Sequence, residues 1–415
     1  MSRRERVLLA GCQLSNTSDE QFRYSMDELR ALTETAYGEV MEEVTQKRER
    51  IDPALYIGKG KVHEIADLVD KLDVESVIFN DELSPGQAGN LSARIGVGVI
   101  DRTQLILDIF ADRARSKEGQ LQVELAQLKY MLPRLTGKGT SLSRLGGGIG
   151  TRGPGETKLE QDRRYIRKRI ADIDRQLDTI VHHRERYRDR RKRNQRFQIS
   201  LVGYTNAGKS TLFNRLTDAE SFEEDKLFAT LDPLTRRLRL PSGLNVLISD
   251  TVGFIQSLPT TLIAAFRSTL EEVKEADLIL HVIDASNPDF EQQERTVLNL
   301  LGELGADNLP ILTVYNKMDR VQGPFVASPE TIAIQVSARD KQDVARLKIE
   351  IENVVKKGMA YYDAAVPLSE GKLLAKLESD SLVYDRDTDE KGQSVRMKGY
   401  IFPDLPLYSE LKQYL

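Results

Sequence analysis

The stretch that most constrains this chain is Gly203-Tyr204-Thr205-Asn206-Ala207-Gly208-Lys209-Ser210, which fits the pattern GxxxxGK[ST]. It follows an apolar run, Gln198 to Val202, that reads as a buried strand, and it precedes a helical pattern from Thr211 to Leu216. A glycine-rich turn in that setting lets backbone N–H groups converge on phosphates at a helix N-terminus. Lys209 then supplies a point charge to the β- and γ-phosphates, and the Ser210 hydroxyl can ligate Mg²⁺. Strand, phosphate loop and helix in this order predict an α/β domain, doubly wound around a mostly parallel sheet. The motif selects a nucleoside triphosphate without saying which one.

Two later segments narrow the choice. Asp250-Thr251-Val252-Gly253 follows the apolar strand Leu244 to Ile248, where a carboxylate can hold the metal through water and the Gly253 N–H can sense the γ-phosphate. Asn316-Lys317-Met318-Asp319 ends the strand Ile311 to Tyr315. The Asp319 carboxylate can accept hydrogen bonds from guanine's ring N–H and exocyclic amine, a pair that adenine does not offer, so the pattern predicts GTP rather than ATP. Ser337-Ala338, after the strand Ile332 to Val336, completes the pocket through backbone contact with the guanine oxygen.

At 415 residues the chain exceeds what one hydrophobic core organises. We divide it into an N-terminal α/β domain (1–112), a helical hairpin (113–196), a GTP-binding domain (197–360) and a small C-terminal α+β domain (361–415). In the first, short apolar runs such as Val7 to Ala10, Val77 to Phe79 and Val97 to Ile100 alternate with helical patterns, the rhythm of a largely parallel sheet. Leu9-Ala10-Gly11-Cys12 resembles a lipoprotein cleavage site, but the apolar stretch before it is too short for a signal peptide and reads as a first strand. Cys12 is the only cysteine, which excludes an internal disulfide. No apolar run is long enough to span a bilayer, so no integral membrane segment and a cytoplasmic location are expected.

In the hairpin, Leu121, Leu125, Leu128, Leu132 and Leu135 form one seam and Ile166, Ile170, Ile173, Leu177 and Ile180 another. Two narrow apolar seams predict an antiparallel pair. The connection, 137–156, is long and rich in Gly and cations; its GxGxxG match at Gly148 to Gly153 has no strand before it and is rejected as a dinucleotide fingerprint. From Arg163 to Arg196 there are 14 Lys or Arg against 5 Asp or Glu, within a chain of net charge -4. Such a local concentration predicts contact with RNA through 137–196, with a solvated helix face as the plainer alternative.

The ordered set of nucleotide motifs resembles that of the translation-factor-related GTPases over roughly 198–358. The resemblance implies that Thr230, within Phe228-Ala229-Thr230-Leu231-Asp232-Pro233, is the switch threonine that closes on Mg²⁺ and the γ-phosphate, with Phe228 and Ala229 beside the nucleotide and Thr235 as the alternative. Ser210, Thr230 and Asp250 are then the metal residues, and Lys209, Thr230 and Gly253 the catalytic ones. Phe254 stands where Ras-like proteins have the Gln that orients water, which predicts slow turnover until a partner acts. Asn206 matches the P-loop asparagine of GTPases that take K⁺ near the β- and γ-phosphates; a structural Asn in a tight turn is the alternative.

Ser116-Lys117-Glu118-Gly119-Gln120-Leu121-Gln122-Val123-Glu124-Leu125-Ala126, together with Arg144-Leu145-Gly146-Gly147-Gly148-Ile149-Gly150-Thr151-Arg152-Gly153-Pro154-Gly155-Glu156-Thr157-Lys158-Leu159-Glu160, resembles the hallmark of the HflX family. That resemblance implies a GTPase on the large ribosomal subunit, in the intersubunit space, with its hairpin against ribosomal RNA; a monomer is expected. It also implies that intact ribosomes, stalled or idle, are separated into subunits under stress. A ribosome-assembly or RNA-modification GTPase, an ATP-driven RNA-remodelling enzyme, and a nucleotide-switched RNA-binding module without turnover are the alternatives.

Overall fold

The structure is a computed structural model. It describes residues 4–135, 154–193, 197–217, 227–228, 230, 234–255, 273–327, 332–389 and 393–415. Most of the glycine-rich connection, 137–153, and Ala229 and 231–233 lie outside the described residues. The described chain divides into two compact units, the first reaching His182 and including Leu227, Phe228 and Thr230, the second beginning at His183.

In the first unit, strands β1 (Glu5–Leu14), β2 (Gly38–Arg48), β3 (Ser76–Phe79) and β4 (Gly98–Asp101) form a sheet in the order β2-β1-β3-β4. Every pairing is parallel. The Val7 to Ala10 run is the buried centre of β1, as its lack of alternation predicts for a strand covered on both faces. Helices α1 (Asp19–Thr35), α2 (Lys59–Leu72) and α3 (Pro85–Ile95) make the three crossovers, and α4 (Arg102–Arg113) follows β4. Local chemistry fixes where these begin: the Ser18 hydroxyl accepts from Gln21 N, and Ser84 with Gln87 forms a reciprocal capping box.

The hairpin helices are α5 (Lys117–Arg134) and α6 (Pro154–Arg193). Their seams meet as expected: Leu121, Leu125 and Ile173 are buried together, with Leu128, Ile170, Leu177 and Ile180 packed around them. Arg134 ties the end of α5 to the α/β sheet. Its guanidinium donates to Leu83 O at 2.7 Å and to Asp101 Oδ2 at 3.0 Å while stacking 3.4 Å from the centre of the Tyr130 ring.

In the second unit, β5 (Gln198–Gly203), β6 (Leu234–Arg239), β7 (Asn245–Asp250), β8 (Leu278–Asp284), β9 (Ile311–Asn316) and β10 (Ile332–Gln335) run in the order β10-β9-β8-β5-β7-β6. Only β6 is antiparallel to its neighbour. Helices α7 (Lys209–Thr217), α8 (Phe290–Glu303) and α9 (Lys341–Lys357) accompany the sheet. The chain goes from β5 to β6 and β7 on one side and to β8, β9 and β10 on the other. The end of β5 is therefore a topological switch point, where open α/β sheets leave a crevice.

The C-terminal portion holds β11 (Ala360–Pro367), α10 (Gly371–Asp380), β12 (Leu382–Thr388), β13 (Ser394–Ile401) and α11 (Pro406–Leu411), with an antiparallel sheet in the order β11-β13-β12. The helix begins at Gly371, because Leu368–Glu370 forms a 3₁₀ turn.

Candidate nucleotide-binding site

The phosphate loop leaves β5 at the switch point and turns into α7. Two of its residues need backbone that most side chains resist: Asn206 has φ 58° and Gly208 φ 91°. A β-carbon on Gly208 would stand 2.3 Å from Asn316 Nδ2, so only glycine allows the loop to lie against the base-recognition strand. A backbone bridge fastens the other side, where Thr205 N donates to Phe254 O at 2.7 Å and Phe254 N to Gly203 O at 3.1 Å.

These contacts bring the separate motifs together. Ser210 Oγ donates to Asp250 Oδ2 at 2.8 Å, which sets a hydroxyl and a carboxylate oxygen side by side. Hard oxygen donors in that arrangement suit Mg²⁺. A β-carbon on Gly253 would lie 2.9 Å from both Lys209 Nζ and Thr205 Cα, so the Gly253 backbone also borders the loop. Thr251 turns inward and donates to Leu201 O at 2.6 Å, while Val252 is buried beside it. The Lys209 ammonium donates to Tyr204 O at 2.8 Å. Its pKa falls to about 8, chiefly through burial; Lys317 pushes the same way and the Asp250 carboxylate opposes.

The base motif is tied to both neighbours. Asn316 donates from Nδ2 to Ala207 O at 2.9 Å and accepts from Ala338 N at 3.0 Å, so one side chain joins the phosphate loop to the Ser337-Ala338 turn. Ser337 Oγ donates to Asp319 Oδ1 at 2.7 Å, and Met318 N donates to Val336 O at 3.3 Å. Lys317 sits in the left-handed region at φ 61° and forms an ion pair of 2.8 Å with Asp284. Thr211 continues α7.

Asp284 and Asp343 are the residues that sequence reasoning missed. Asp284 ends the apolar run of β8 and could have been found as a carboxylate at a strand's C-terminal end. Asp343 accepts from Ser337 N at 2.8 Å and carries no such signal.

Of the other expected residues, Phe228 and Thr230 are described with the first unit and Thr235 with the second. In the first unit, Leu227 N donates to Thr35 Oγ1 at 3.4 Å and the Phe228 ring meets Phe110 edge-on at 4.6 Å. Thr235, the alternative, is in β6, hydrogen-bonded to Ser249 Oγ at 2.8 Å.

On β8, His281 is wholly buried and neither ring nitrogen has a hydrogen-bond partner. Burial first, and then the Lys209 charge, push its pKa down to about 3. The unfolded chain takes up this proton near pH 6.5, whereas the folded chain resists it until about pH 3, so stability falls as pH drops through that interval. The loss from this group reaches about 4–5 kcal/mol by pH 3. His281→Leu is expected to move the midpoint of acid unfolding, followed by circular dichroism, to lower pH; an unmoved midpoint would refute the assignment.

A phosphate-loop motif at a switch point, a carboxylate hydrogen-bonded to its serine, and Asp319 held by Ser337 in the Asn316 to Asp319 motif define the class: this is a P-loop GTP-binding enzyme. A solved structure of SsGBP in complex with GDP agrees, with a TM-score of 0.50 at 25% identity over 84% of this chain and 98% of that one. The chain belongs to the GTPase HflX family, and it is a GTP hydrolase. It is 54% identical over 411 residues to GTPase HflX of Alkalihalophilus pseudofirmus, covering 99% of this chain and 97% of the relative. Against GTPase HflX of Escherichia coli K12 the identity is 46%, covering 72% and 70%. Family models described as "GTP-binding GTPase N-terminal", "GTP-binding GTPase Middle Region" and "50S ribosome-binding GTPase" match residues 23–111, 113–191 and 198–317. Among the described residues, no helix is long and apolar enough to cross a membrane.

Proposed function

We propose that this GTPase binds the large ribosomal subunit, is activated by it, and separates stalled or idle ribosomes into subunits under stress. The observation that carries the activation step is Phe254. Its ring is 2% exposed and its backbone is bridged to the phosphate loop, so the position after Gly253 offers no polar side chain to orient water. A partner must order or supply that function. The description of the matched family model supports the large subunit as this partner, and the cationic 137–196 region suits ribosomal RNA.

In this reading Gly203 to Thr211 cradle the phosphates, Ser210 and Asp250 hold Mg²⁺, and Thr230 closes on the metal and the γ-phosphate when GTP is bound. Lys209 and the Gly253 N–H stabilise charge on the transferring phosphoryl group. Asn316 to Asp319, with Ser337 and Ala338, read guanine, and K⁺ sits near Asn206. The protein acts as a cytoplasmic monomer of four domains, 1–112, 113–196, 197–360 and 361–415.

The test is steady-state GTP hydrolysis in K⁺ buffer with and without purified large ribosomal subunits. Stimulation of ten-fold or more is expected, followed by conversion of intact ribosomes to subunits on a density gradient. An unchanged rate despite tight GTP binding would remove the activation step, and activation without splitting would favour an assembly or RNA-modification GTPase.

A further inference from the structure

The C-terminal sheet buries one face and leaves the other open. Tyr362, Ala364 and Val366 of β11, with Val395, Met397 and Ile401 of β13, point into a core closed by Leu373, Leu374 and Leu377 of α10 and by Leu407 and Leu411 of α11. The two-residue period of a strand sends the residues between them outward. Tyr361 and Tyr400 are direct cross-strand partners, with ring centroids 5.6 Å apart. Tyr384 lies where the register of β12 slips, and its ring is 6.5 Å from that of Tyr361 and 6.1 Å from that of Tyr400. Tyr361 is 51% and Tyr384 56% exposed. Three clustered rings on an open face, two of them half in solvent, are what interaction surfaces use as anchors.

Charge beside the rings selects the partner. Asp363 holds Arg396 through two hydrogen bonds of 2.8 and 2.9 Å, and Asp385 holds Lys398 at 2.9 Å. Arg396 and Lys398 are therefore neutralised, and Asp387, opposite Arg396 in the register, adds a carboxylate beyond these two pairs. A nucleic-acid strand would bring its phosphates against these carboxylates. A cationic segment would be drawn to them and would find the ring faces as well. The chain already makes such a contact once, with Lys356 Nζ 4.1 Å from the centre of the Tyr400 ring.

We propose that the open face of the C-terminal sheet, through Tyr361, Tyr384 and Tyr400 with Asp363, Asp385 and Asp387, docks a Lys/Arg-rich segment of a protein partner. The arginine or lysine side chains of that segment lie over the Tyr361 and Tyr384 rings, and its flanking cations meet the carboxylates.

Fluorescence anisotropy on the full chain tests this, with labelled nona-arginine and a labelled single-stranded RNA dodecamer as probes at about 150 mM KCl. Replacing both Tyr361 and Tyr384 by Ser is expected to weaken peptide binding about ten-fold. Replacing both by Phe should preserve it, because the ring faces remain, and RNA binding should be equal in all three proteins. Wild-type GTP turnover in the serine variant reports that the fold is intact. Equal peptide binding by the serine variant would overturn the proposal, as would a loss of RNA binding in place of peptide binding.

Discussion

Asp319→Asn is expected to weaken GDP and GTP binding by roughly 10²–10⁴-fold while raising affinity for the xanthine nucleotides. Two hydrogen bonds from guanine to a carboxylate contribute about 1.5–3 kcal/mol each. The amide would accept from the ring N–H but would turn its own N–H toward guanine's exocyclic amine. Xanthine has a carbonyl at that place and restores the pair. Ser337 Oγ, which holds Asp319 Oδ1 at 2.7 Å, keeps the side chain in its orientation. Competition of GDP and XDP for a fluorescent nucleotide measures the switch; unchanged GDP affinity would show that Asp319 does not read the base.

Lys209→Ala should lower GTP turnover by roughly 10²–10³-fold, the loss typical of removing one donor aimed at transition-state charge. The wild-type lysine adds a pH signature. Burial holds its pKa near 8 without nucleotide, and bound phosphates favour the charged form. Binding therefore takes up a proton above that pH, and GDP affinity falls as pH rises from about 8 toward the pKa of the complex, by at most ten-fold per unit. The alanine variant should lose this slope. A slope that persists in the variant would assign the titration to another group.

Motif order made the nucleotide site readable because each piece ends a strand, and parallel strands bring their C-terminal ends to one edge. Ser210 and Asp250 meet there in a direct hydrogen bond, and Asn316 joins Ala207 of the phosphate loop to Ala338, the neighbour of Ser337. What the motifs do not encode is the clasp between them: Asp284 against Lys317, and Asp343 beneath Ser337, are single carboxylates whose partners are defined only by packing. The hairpin seams are legible for a related reason, since Leu121 and Leu125 lie on one helix stripe and Ile173 on another, and each stripe must be covered.

The C-terminal sheet was less readable. Its β11 carries Tyr361 and Ala365 on the open face and Tyr362 and Ala364 on the buried one. Apolar residues on both sides erase the alternation that marks a half-buried strand. In β12 the reverse holds, because Asp385, Arg386 and Asp387 are polar in succession and a register slip interrupts the period. The same irregularity carries Tyr384 to the open face, beside Tyr361 and Tyr400.

The backbone bridge between Tyr204 and Phe254 also has a mechanical meaning. It adds one rung beyond the paired ends of β5 and β7, made entirely of main-chain groups, and so welds the phosphate loop to the segment that carries Asp250 and Gly253. The two cannot slide past one another while that rung holds. A displacement of the Asp250 to Gly253 segment must therefore carry the phosphate loop with it or break those two main-chain hydrogen bonds.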